Sequence, residues 1–101
     1  MYYSPSDATN EIKKRLRNFG EVVFIPHAND QMDARVIDDL EATMALRSGA
    51  VRTPGELRNG EYRYIVESDL NGVAVVVEIP DASPNLIVIT VIKLNKRKRR
   101  R

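Results

Sequence analysis

The feature that most constrains this chain is a change of hydrophobic period at Gly49. Before it, apolar residues recur at helical spacing. After it, "EYRYIVES" and "VAVVVEI" alternate with period two, as strands do. A chain that spends its first half on helices and its second on consecutive strands builds an α+β domain, not an alternating one. At 101 residues there is material for one core. Residues 1–95 are therefore expected to form a single α+β domain, two or three N-terminal helices packed on a three- to four-stranded antiparallel sheet.

Local signals place the elements. "SPSD" (Ser4 to Asp7) supplies an N-cap serine, a proline at the first helical position and an acid in the first turn. Ala8, Ile12 and Leu16 then mark a buried stripe, and Gly20 is the expected stop. "EVVFI" (Glu21 to Ile25) fits either a short strand or an extended link. A second helix is expected from Pro26 to about Arg35. Asp38 and Glu41 have capping-box spacing and open a third helix or a kinked continuation of the second, with Leu40, Met44 and Ala45 as its periodic positions and Gly49 as its end. Asn71-Gly72 is a favoured pair for a two-residue hairpin turn. The strand after it carries Val73, Val75, Val77 and Ile79 on one face and Ala74 and Val76 on the other, so both faces call for cover, from helices or from a second subunit.

Composition excludes several chemistries. The chain has no cysteine and one histidine, which removes disulfides and thiolate metal sites and disfavours zinc, so no metal and no cofactor is expected. The carboxylates Asp30, Asp33, Asp38, Asp39 and Glu41 lack the spacing of a calcium loop and read as solvated helix starts. No apolar run is long enough for a membrane helix and no signal-peptide core is visible, so a cytoplasmic protein without membrane contact is the expectation. The formal charge of +2 divides unevenly. Lys96, Arg97, Lys98, Arg99, Arg100 and Arg101 form a basic block that reads as a disordered arm able to meet phosphates without sequence preference.

The single histidine opens a polar stripe. On a helix His27, Gln31 and Arg35 follow one another at steps of four, beside the inward-facing Ala28 and Met32. His27 and Arg35 stand roughly 12 Å apart along the axis, too far to touch but near enough to line one groove. An imidazole can move a proton near neutral pH and a guanidinium can hold a phosphate in a fork. Taken alone, a lone histidine beside a proline at a helix start is more often a surface or capping residue. Arg63 lies between Tyr62 and Tyr64 and faces away from them, and Thr90 is expected to share its strand face with Val88 and Ile92, as ordinary packing residues also would.

The segments "PHANDQMDARVIDDLEATMALRSGAV", "EYRYIVES" and "NLIVITVIKL" resemble a family of small bacterial and phage domains of unknown function. That family carries a His-Ala-x-x-Arg-Met-x-x-Arg helix, an aromatic-basic strand and a last strand with a Thr-Val pair. Such domains resemble the RelE, barnase and colicin group of metal-independent toxin ribonucleases. The resemblance covers about residues 25 to 94, and the helix motif is its specific part. It implies a RelE-like fold and a toxin-type endoribonuclease acting on RNA, held in check by a protein antitoxin. His27 would be the general acid or base, Arg35 and Arg63 the phosphate grip and Thr90 a positioning residue, with Gln31 and the basic arm contacting nucleic acid. Two departures matter. Gln31 stands where the family has arginine, and Ile92 where many members have an aromatic residue. The alternative is a non-catalytic accessory adaptor that uses the same sheet to bind a protein or nucleic acid, or that pairs with a second copy.

Overall fold

The computed structural model describes residues 1–94; the reading of residues 96–101 as a disordered arm falls outside them. Helix α1 (Pro5–Arg17) starts where the caps place it, with Ser4 Oγ accepting from the Asp7 N–H at 3.2 Å. Strand β1 (Val22–Phe24) follows, then α2 (Pro26–Arg35) and α3 (Asp39–Ser48). At α3 both halves of the Asp38–Glu41 capping box form, at 2.8 and 3.1 Å. The remainder is β2 (Ala50–Val51), β3 (Glu56–Arg58), β4 (Glu61–Ser68), β5 (Val73–Glu78) and β6 (Leu86–Lys93).

The fold is α+β with three helices. Its sheet is larger than the expected three or four antiparallel strands: six strands run in the order β1-β6-β5-β4-β2, with β3 also on β4, and β1 lies parallel to β6. The ambiguous "EVVFI" became that parallel edge strand. Its three pairs are too short for the alternation rule to identify from sequence.

All three helices lie on one face. Ala8, Ile12, Ala28, Met32, Ala42, Ala45 and Leu46 form one core with Tyr64, Val66, Val73, Val75, Val77, Val88 and Val91. The third helix is turned from the expected phase: Leu40 and Met44 are exposed, while Ala42, Ala45 and Leu46 are buried. Small alanines let the helix axis approach the sheet more closely than leucine and methionine would.

The helix ends also differ from expectation. Gly20 does not supply the left-handed turn after α1, because Phe19 takes that conformation at φ 68°. Gly20 is needed for close approach, since a Cβ there would collide with the Pro84 carbonyl oxygen. Likewise Val36, a β-branched residue, closes α2 at φ 55°. The loop after β4 spans residues 69–72, four residues and not two, closed by Gly72 N–H to Ser68 O at 3.0 Å. The two-residue turn is Asn59-Gly60, with φ 52° and 84°, joining β3 to β4.

Two polar contacts pin the layers together. Lys13 crosses from α1 to donate to the carbonyls of Arg47 and Gly49 at the end of α3, the second at 3.0 Å, and burial holds its pKa below the ordinary lysine value. The Tyr64 hydroxyl, under the N-terminal segment, accepts from the Tyr3 N–H at 2.8 Å, and burial raises its pKa above the ordinary tyrosine value. A raised folded pKa means that the stability tied to the Tyr64 proton is complete below about pH 10 and is lost as pH climbs through the folded value. Lys13 acts in the opposite sense, so the comparison of interest is between variants. Tyr64→Phe should cost about 1 kcal/mol at pH 7, from the orphaned Tyr3 N–H, and should lose less stability than the wild type between pH 9 and 11. Urea unfolding across that range measures both.

Candidate functional site

Because the helices cover only one face, the other is bare. Period two and the pairing register put Arg63, Ile65 and Glu67 of β4, Ala74, Val76 and Glu78 of β5, Thr90 and Ile92 of β6, and Val23 of β1 on it. A β-bulge in β6 decides part of this list. Val77 pairs with Val88 while Val76 pairs with Thr90, so Ile89 is the extra residue. Val88 therefore enters the helix-side core, and Thr90 does not share its face as strict alternation would require.

A groove of about 410 Å³ opens on this bare face. Ile65, Val76, Ile89 and Thr90 line it together with Thr53 and Pro54, and Glu56, Arg58 and Arg63 supply its charges. The structure thus brings Arg63 and Thr90 into one concavity, although β5 separates their strands by roughly 10 Å. Arg63 is not a free cation there. Its Nε donates to Glu78 at 3.1 Å, and Glu56 is its cross-strand neighbour on the other side. Arg58 is held by Glu56 at 3.0 Å.

His27 and Arg35 do not line that groove. His27 is exposed at the start of α2 and its side chain makes no hydrogen bond among the described residues. Arg35 does structural work: one guanidinium nitrogen donates to Gln31 Oε1 at 2.7 Å and to the Val91 carbonyl at 2.9 Å. β1 pairs with β6 only as far as Val88, and Arg35 satisfies the edge carbonyl beyond it. Gln31 therefore orients the arginine where the sequence resemblance has a second phosphate-binding cation. Nothing in the spacing of α2 could have revealed this use, which depends on where β1 stops.

The carboxylates near α2 surround a different concavity. A groove of about 710 Å³ between α2 and α3 is lined by Asp33, Val36, Asp38, Asp39, Leu40 and Glu41 among others. Asp38 and Glu41 are occupied by the capping box. Among the described residues no group of three or more histidine and acidic side chains is placed to hold a metal ion, and no helix is long and apolar enough to cross a membrane.

No protein-family model, curated protein or solved structure matches this chain.

The geometry at Arg35 makes a direct prediction. Arg35→Ala should strip the edge carbonyl of Val91 of its donor and cost about 1–2 kcal/mol in denaturant unfolding. An unchanged midpoint would show that the hydrogen bond carries no stability and that the guanidinium is available for a ligand.

Proposed function

We propose that this chain is a non-catalytic binding module whose bare sheet face receives a protein partner. The observation supporting this reading is the one-sided helix layer: Val23, Ile65 and Ile92 remain exposed on the opposite face, and Ile65 joins Val76 and Ile89 in lining its groove. Isolated apolar side chains on a surface are ordinary. With Ala74 and Val76 of the intervening β5, these three form a row across four neighbouring strands, bordered by charged residues, which has the composition of an interface centre and rim. The charges around it suit protein better than nucleic acid. Arg52, Arg58 and Arg63 are already paired with Glu67 and Asp69, with Glu56 and with Glu78, so a phosphate would have to displace a carboxylate from each arginine it used.

A second reading is favoured by the shared groove of Arg63 and Thr90. In it the chain is a RelE-like, metal-independent ribonuclease of a toxin–antitoxin pair. An RNA 2′-hydroxyl would attack its neighbouring phosphate, leaving a 2′,3′-cyclic end, with His27 moving the proton. That chemistry requires His27 and Arg35 to meet, from α2, the same phosphate that Arg63 meets from β4. Arg35 would have to release Val91.

One experiment separates the two. Expression in bacteria should be harmless, and a photo-crosslinking residue at position 92 should capture a protein, a second copy of this chain included, with Ile65→Glu abolishing the crosslink in a variant that melts normally. Growth arrest that His27→Ala relieves, with no crosslink through position 92, would overturn the binding-module reading in favour of the ribonuclease.

A further inference from the structure

The arginines of this protein divide into two groups. Arg15 is held by Glu11 and by the carbonyls of Ser83 and Asn85, Arg35 by Gln31 and Val91, and Arg52, Arg58 and Arg63 by carboxylates. Arg17 and Arg47 alone among the described arginines have no ion pair or side-chain hydrogen bond. They stand together. With Lys13 and Leu16 they line a cleft of about 430 Å³ between the last turns of α1 and α3. Lys13 sits in the same cleft, turned toward the Arg47 and Gly49 carbonyls, so its charge adds to the local field while its position is fixed.

Basic residues in the last turn of a helix offset the helix dipole, which accounts for the sign of Arg17 and Arg47. It does not account for the neighbouring residue. Phe19, two positions beyond Arg17, is 94% exposed and holds φ 68°. The left-handed conformation is unfavourable for a bulky side chain, and glycine is the residue that would close this helix without strain. A ring in water at that position contributes nothing to the core. Strain kept where it gives no packing points to a use outside the fold.

We infer that the ends of α1 and α3 form a contact site for single-stranded nucleic acid, in which Arg17 and Arg47 hold successive phosphates and Phe19 stacks on a base. Unpaired cations with an exposed ring two residues along the chain supply the two contacts that bind single strands without sequence preference, since every base offers a π-face. Carboxylates crowd the bare sheet face and are absent from the lining of this cleft. The site is independent of the sheet face, so a protein bound there and a nucleic acid bound here could be held by one chain. The block Lys96 to Arg101 supplies further sequence-blind attraction for the same ligand.

The test uses the full chain and a labelled twelve-nucleotide oligouridylate, with oligothymidylate and a duplex of equal length beside it, over a series of salt concentrations. The basic block is common to every variant, so its contribution cancels. Phe19→Gly should weaken single-strand binding about tenfold, the scale of a lost base–aromatic stack, while raising the melting temperature by relieving the left-handed phenylalanine. Phe19→Trp should keep the affinity. Arg17→Gln and Arg47→Gln should each weaken binding and flatten the salt dependence by roughly 0.7 in logarithmic slope, as losing one single-strand phosphate contact does. Both single strands should bind, because phosphates and ring faces are common to RNA and DNA. Affinity unchanged in Phe19→Gly, or a duplex bound as tightly as the single strands, would overturn the site and leave the two arginines as helix-end charges only.

Discussion

Strand β5 is the constraint on which the rest of this structure depends. Val73, Val75 and Val77 are fully buried on its helix side, and Ala74 and Val76 alternate with them on the other. It pairs with β4 and β6 over nearly its whole length, so a slip of one residue would turn the valine set away from all three helices. The helices then adapt to the valines. Ala42 and Ala45 present a flat surface that lets α3 come close, and Ala28 and Met32 seat α2 over β6. Among the described residues the one fully buried polar residue, Ser68, is satisfied by Ser48 Oγ at 2.7 Å, so the close approach of α3 leaves no unpaired hydroxyl at that point.

What could be read from the sequence follows the range of the interactions involved. The starts of α1, α2 and α3 are set by caps and prolines within four residues of the helix, and these were legible. The buried stripe of α1 was legible for the same reason. β1 was not, because its partner Leu86–Val88 lies about sixty residues away and a three-residue strand has no period. The two hairpins show how local signals compete. Both Asn-Gly pairs favour a tight turn, but only Asn59-Gly60 sits between residues that pair directly, while Ser68 and Val73 fix the other loop at four.

The candidate site shows the same division. That Arg63 faces away from Tyr62 and Tyr64 follows from period two alone. That Thr90 joins it required the bulge at Ile89, which shifts the second half of β6 by one residue relative to the first. Without that extra residue Thr90 and Val88 would share a face, and one of them would be misplaced: a hydroxyl in the valine core or a valine in the groove. The bulge resolves a conflict between two halves of one strand, and conflicts of that kind are invisible until the partner strand is known.

Charge is distributed by the same geometry. Cross-strand neighbours on a sheet lie about 5 Å apart, so arginines and glutamates placed on one face find each other and are neutralised, as Arg63 is between Glu56 and Glu78. A last-turn residue has no opposing strand to supply a carboxylate and is paired only where its own helix does so, as Glu11 does for Arg15. Arg17 and Arg47 have no such partner among the described residues and stay unpaired. The sheet face therefore offers shape and apolar contact with its charges already paired, and the helix ends offer unpaired charge. Two ligands of different chemistry suit those two surfaces better than one ligand suits both.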